Sequence, residues 1–237
     1  MNVGIPPVIL KAARKHTASL VFLHGLGDTG LGWAGALNTI KPDYLKVICP
    51  TAPMMPVTLN GGMKMPAWYD ILSLDETDEN REDMEGVDWA VNFLMDIVRE
   101  EEKQGISSDR VMVGGFSQGG AVSLRAALTS QTPLAGCVAL SCYLPGNISQ
   151  YGNLNTQDTP VFQVTLNSLR MYFIRNKLQA HGDQDDVVTY PRGKLTAEVV
   201  SRLVRDHQFN TYEGMSHEAT LKEMEDVKTW MDQKLHL

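Results

Sequence analysis

Gly115-Phe116-Ser117-Gln118-Gly119 stands between the apolar run Val111-Met112-Val113 and the helix-forming run Ala121–Leu128. A strand that turns into a helix within one residue leaves no room for side chains beside the turn, and Gly115 and Gly119 meet that demand. The pattern is a G-x-S-x-G nucleophile elbow in its strand-turn-helix context. It predicts a strained Ser117 in a tight turn between a strand and a helix.

Outward from the elbow, short apolar runs alternate with amphipathic stretches, the pattern of a mostly parallel sheet with helices on both faces. The expected strands are Ser19–Leu23, Lys46–Cys49, Arg110–Val113, Gly136–Ser141, Pro160–Val164 and a last one at Gln208–Glu213. Expected helices are Glu82–Gln104, with Met84, Val87, Val91, Leu94 and Val98 on one face and Gly105 as stop, then Lys194–His207 and Ser216–Leu235. Thr51–Ser73, rich in Pro, Gly and Met, reads as the longest irregular connection, and such loops tend to carry function.

Serine attacks a carbonyl only when a base takes its proton, so a histidine steered by a carboxylate must lie within reach. Elbow hydrolases carry the acid and then the histidine after the serine. His217, in Gly214-Met215-Ser216-His217 between a strand and the last helix, is the expected base; His207 at a helix end and His236 near the terminus read as solvated. His181-Gly182-Asp183-Gln184-Asp185-Asp186 offers the acid, and spacing alone leaves Asp183 and Asp185 both open. The same cluster is a weak candidate for a hard metal, since no second group of ligands stands at a recognisable spacing.

His24-Gly25-Leu26-Gly27-Asp28-Thr29-Gly30 follows the first long strand and matches G-x-G-x-x-G, with Asp43 downstream as an acidic partner for a dinucleotide ribose. Asp28 would put a negative charge inside a phosphate loop. The better reading is an H-G-x-G loop that contributes a backbone amide to an oxyanion hole.

The bulk properties narrow the class. The 237 residues, 43% hydrophobic and 21% charged, suit one globular domain spanning 1–237. A net charge of -7 without a basic block argues against nucleic acid as a partner. No signal-peptide pattern opens the chain and no run nears the ~18 apolar residues of a membrane span, so a cytoplasmic location is expected. Cys49, Cys137 and Cys142 each lie in an apolar run and read as buried free thiols.

Taken together, Phe22 through Gly30, Pro53 through Leu59, Met65 through Asp70, Gly114 through Gly120 and Tyr212 through His217 resemble the acyl-protein thioesterase and lysophospholipase family of small α/β hydrolases. The resemblance runs from about Ile9 to Leu235. It implies the α/β-hydrolase fold, a triad of Ser117, Asp185 and His217, and an oxyanion hole formed by the amides of Leu26 and Gln118. It also implies that no metal or cofactor takes part. The implied substrates are S-acylated proteins or lysophospholipids, with transient contact at a membrane surface. Met54, Met55, Met63, Met65 and Trp68 are expected to line the acyl site, since methionine adapts to a flexible chain. The plain alternative is that they cover the sheet edge.

Two departures stand against the family pattern. Where the family carries Trp after Ser-Cys, lining the acyl site, this chain has Tyr143, which puts chain-length preference in question. Thr165–Ala180 adds sixteen residues between the fifth expected strand and His181, either a genuine insertion or a translated intron. The rival expectations are a short-chain carboxylesterase, or a hydrolase-fold binding protein whose triad the insertion disrupts.

Overall fold

The computed structural model describes residues 4–73, 82–146, 151, 159–167, 169–174, 177–182, 188–213, 217 and 219–235, with the backbone alone over 165–182 and at 213. Its strands are β1 (Val8–Leu10), β2 (Ala18–Leu23), β3 (Leu45–Cys49), β4 (Met54–Val57), β5 (Met63–Pro66), β6 (Val111–Phe116), β7 (Gly136–Leu140), β8 (Val161–Asn167), β9 (Leu169–Ile174), β10 (Lys177–Gly182) and β11 (His207–Glu213). Its helices are α1 (Gly30–Ile40), α2 (Met84–Lys103), α3 (Gln118–Thr129), α4 (Tyr190–Leu203) and α5 (Leu221–Lys234).

Seven strands form the main sheet in the order β1-β3-β2-β6-β7-β8-β11, parallel throughout except for β1 at the edge. This is the mostly parallel α/β-hydrolase sheet. Strands buried on both faces read as continuous apolar runs, as β2, β6 and β7 do. Val21 and Leu23 point to one face with Val87, Leu94, Leu124 and Val200 of α2, α3 and α4. Leu20 and Phe22 point to the other with Trp33 and Leu37 of α1 and Met224, Val227 and Trp230 of α5. Cys49, Cys137 and Cys142 are buried free thiols, as expected.

Several expected boundaries move. Arg110 lies in a 3-10 turn, not in β6, and donates to the carbonyls of Thr17 and Leu235. Glu82 lies before α2, whose N-cap is Asp83, accepting from the Gly86 amide. Ser141 leaves β7 with φ of 47°. The helix expected over Lys194–His207 is α4, started earlier by Pro191 in its first turn. Its buried side includes Arg192, Thr196 and Val200, while Leu195 is exposed. His207 therefore opens β11, paired with Val161, and burial lowers its pKa instead of leaving it solvated. The last helix starts at Leu221, where Thr220 and Glu223 form a capping box.

The supposed irregular stretch Thr51–Ser73 contains the antiparallel hairpin β4–β5. Thr165–Ala180 also contains regular structure. Its first three residues prolong β8 beside β11 as far as Asn167 opposite Glu213, and most of the rest forms the β9–β10 hairpin, which also takes in His181 and Gly182.

Candidate active site

β6 ends at Phe116 and α3 begins at Gln118, so Ser117 alone makes the turn, with φ of 51° and ψ of -120°. A non-glycine residue there is strained by roughly 1–3 kcal/mol, and the surroundings must hold it. The Ser117 amide donates to the Leu140 carbonyl at 2.9 Å, and its own carbonyl accepts from Ala121 at 3.0 Å. A Cβ at Gly119 would sit 2.2 Å from the Leu23 carbonyl oxygen, and one at Gly115 would sit 2.4 Å from the Gly119 backbone. Close approach of backbone, not flexibility, requires both glycines.

The loop after β2 is pinned from three sides. His24 is fully buried, and the Ala52 amide donates to its Nε2 at 3.0 Å. That bond makes Nε2 the acceptor, so the ring proton sits on Nδ1 and is donated to the Gly25 carbonyl at 2.7 Å. Burial lowers the pKa of this imidazole and keeps it neutral. The His24 carbonyl accepts from Trp68 Nε1 at 2.9 Å, and the Gly27 amide donates to Pro66 of β5 at 2.9 Å.

Gln118 ties the elbow to the same segment. Its Oε1 accepts from the Trp68 amide at 2.9 Å and its Nε2 donates to the Tyr69 carbonyl at 2.7 Å. The Gln118 backbone amide is the first of α3 and therefore has no acceptor within its own helix.

His217 approaches from the far end of the sheet. Its ring lies 4.7 Å from that of Phe116, tilted by 49°, and it shares with Ser117 the wall of a cleft of ≈ 530 Å³. Leu26, Trp33, Ala36, Phe116 and Ala219 give this cleft a largely apolar lining. Its size falls in the range of small-molecule sites. Nucleophile, base candidate and the loop of Leu26 thus converge on one space. Asp183 and Asp185 lie outside the described residues.

A second, far smaller cavity, ≈ 20 Å³, touches the opposite flank of Ser117. Tyr69, Gln118, Tyr143 and Arg192 line it. Tyr69 and Tyr143 join hydroxyl to hydroxyl at 3.0 Å, and the Arg192 guanidinium lies 3.3 Å from the centre of the Tyr143 ring. Arg192 also donates to Glu82 at 2.7 Å, and both side chains are less than a tenth exposed.

Of the residues expected to line an acyl site, Met54 and Met63 are exposed on the hairpin, Met55 and Met65 are half-buried, and Trp68 is buried as a prop for His24. None of these lines the cleft at His217; Tyr143 lines the small cavity. Trp33, Ala36, Glu82 and Arg192 were not legible as site residues. Trp33 and Leu37 stand four apart, a helical spacing that could have revealed α1.

The model of the phospholipase/carboxylesterase family matches residues 6–168 and 172–235, breaking only within Thr165–Ala180. Acyl-protein thioesterase 1 of Neurospora crassa is 37% identical, the alignment covering 97% of this chain and 92% of that protein. The enzyme of the same name from Yarrowia lipolytica is 36% identical over 97% of each. Among solved structures, Zea mays acyl-protein thioesterase 2 superposes with a TM-score of 0.79 at 26% identity, covering 97% of this chain and 98% of that one.

Proposed function

The chain belongs to the phospholipase/carboxylesterase family, and we propose that within it this protein is a serine hydrolase that removes long acyl groups from S-acylated proteins. The observation that carries the reading is Ser117, strained in its elbow and sharing an apolar cleft with His217. Supporting it are relatives named acyl-protein thioesterase that align along nearly the whole chain.

In the proposed reaction His217 takes the Ser117 hydroxyl proton as Oγ bonds to the acyl carbonyl carbon, and Asp185 holds the imidazole in the needed tautomer. The Leu26 and Gln118 amides receive the oxyanion, at the end of loops whose positions His24, Trp68 and the Gln118 side chain constrain. Collapse of the tetrahedral species breaks the carbon–sulfur bond, and His217 returns the proton to the leaving thiol. Water, deprotonated by His217, then attacks the acyl-serine and frees the fatty acid.

Lysophospholipids are a second substrate in this proposal, and the cytoplasm is its location. Among the described residues no helix is long and apolar enough to cross a membrane. Met54, Leu59 and Met63, all exposed on the β4–β5 hairpin or its turn, support transient contact with a bilayer surface.

A short-chain carboxylesterase is the second reading, favoured by the small size of the cavity at Tyr143. An acyl-chain series of thioesters separates the two: preference for palmitoyl over acetyl is expected, and equal efficiency with both would sink the long-chain reading. Labelling of Ser117 by a fluorophosphonate is also expected. Folded protein that resists the probe would instead be a binding module.

A further inference from the structure

The direction of proton return fixes which end of the substrate occupies the cleft. In the proposed reaction His217 gives a proton to the leaving thiol, so the leaving group stands beside His217 when the carbon–sulfur bond breaks. His217 lines the ≈ 530 Å³ cleft together with Ser117, Leu26 and Asp28. The substrate cysteine and the residues flanking it therefore lie along this cleft.

Asp28 gives that cleft a negative charge in a fixed place. It is half-buried between the Leu26 loop and α1. Its amide donates to the Gly25 carbonyl at 3.2 Å, and its carboxylate accepts from the Thr29 amide at 2.7 Å. A Cβ at Gly32 would sit 2.3 Å from Oδ1 and 2.7 Å from Oδ2, so a glycine in the first turn of α1 leaves the space that the carboxylate fills. The positive end of the helix supports an anion there. A carboxylate has about four acceptor sites, and the Thr29 amide takes one of them. The residue that spoils G-x-G-x-x-G as a phosphate loop thus stands on the wall along which the leaving group lies. We propose that Asp28 is a specificity-determining residue, which selects S-acylated cysteines flanked by Lys or Arg through the charge it places in the cleft. The assignment rests on the hydrolase reading above.

The test uses the full chain and two palmitoyl-cysteine peptides, identical except for Lys or Glu on either side of the acylated residue. The Lys peptide should have the higher kcat/KM by about threefold to tenfold at about 10 mM salt. The ratio should shrink toward one at about 1 M salt, as the Debye length contracts from ~30 Å to ~3 Å. Asp28→Asn keeps an oxygen for the Thr29 amide and removes the charge, so its ratio should fall to within about twofold of one. Asp43→Asn changes the net charge equally at an exposed position before β3, and it should keep the wild-type ratio. The assignment is overturned by equal efficiency with both peptides at low salt, by a ratio that salt leaves unchanged, or by a wild-type ratio in Asp28→Asn. Loss of the preference in Asp43→Asn as well would overturn it too, by tracing the effect to net charge. Should Asp28→Asn fail to fold, Asp28→Ser carries the same test with a hydroxyl as the acceptor, and the salt series on the unsubstituted chain stands without either. Fluorophosphonate labelling separates the two levels: no labelling of Ser117 and no turnover of either peptide defeats the hydrolase reading itself, whereas equal turnover of both defeats only the assignment of Asp28.

Discussion

Two connections leave the C-terminal edge of the same sheet from strands separated only by β7, and they are built in opposite ways. Between β6 and α3 a single residue intervenes, held by backbone packed against backbone and by the Gln118 side chain. Between β8 and α4 the chain runs from Asn167 to Tyr190 and includes a two-stranded hairpin. The first places its functional atom by steric exclusion, which a handful of adjacent residues can encode. The second, which carries the proposed acid, depends on distant pairing: β8 and β11 stay in register from Val161↔His207 to Asn167↔Glu213, so the loops bearing acid and base spring from one coupled pair of strands.

The largest effect should come from chemistry at the first connection and its partner base. Ser117→Ala or His217→Ala should each lower turnover by about 10⁶-fold with folding unchanged, because triad members act as a unit. Single-turnover rates on a palmitoyl thioester measure this, and near-normal hydrolysis by folded His217→Ala protein would remove His217 from the mechanism.

The clamp at the elbow comes next. Gln118→Ala leaves the buried Trp68 amide and Tyr69 carbonyl without partners, at a cost of about 1–3 kcal/mol each. Urea denaturation should show a lower midpoint together with reduced turnover. A stability change below about 0.5 kcal/mol would mean that the segment is held by other contacts.

A pH dependence of stability is expected near the proposed base. Burial raises the Glu223 carboxyl from 4.5 to about 7, just after the proposed base along the chain. The native state then holds a proton that the unfolded chain has lost, so stability should fall as pH rises from about 4.5 to 7 and level off above that, by at most about 3 kcal/mol. Glu223→Gln keeps the capping pattern and removes the charge, and it should flatten this slope. An identical slope in the variant, measured by denaturation at pH 5, 6, 7 and 8, would assign the dependence to another group.

The smallest effect concerns the long connection itself. Deleting Thr165–Ala180 joins Val164 to His181, which can continue the pairing of β8 with β11, and closing the shorter path changes loop entropy only slightly. Labelling and turnover should stay within about twofold or rise. A folded deletion variant with markedly lower turnover would make the segment a working part of the enzyme.

What could be read from the chain divides along the same line. The elbow, the buried strands and α2 were legible because close packing leaves local marks: two glycines about a serine, apolar runs, and Val87, Leu94 and Val98 at helical spacing. The hairpin β4–β5 was not, since Met-Met-Pro-Val and Met-Lys-Met-Pro share one β-branched residue, Val57, and each holds a proline. Helix α1 lay hidden because it begins inside a glycine-rich motif. In α4 the regular Leu195, Val199 and Leu203 marked only part of the buried face: Val199 and Leu203 pack on the core, while Leu195 is exposed and Arg192, Thr196 and Val200 are buried. Glu82, which draws Arg192 inward, comes from 110 positions earlier, and no local period records that attraction.

The three thiols buried in the cores on the two faces of the sheet offer a clock for the whole molecule. Cys49 and Cys142 are pushed up to about 12 by burial, and Cys137 rises as well, so none presents a thiolate near neutral pH. An alkylating reagent should mark them only when the sheet opens. Its rate then reports how often the core comes apart, while a serine-directed probe in the same tube reports whether the site is assembled.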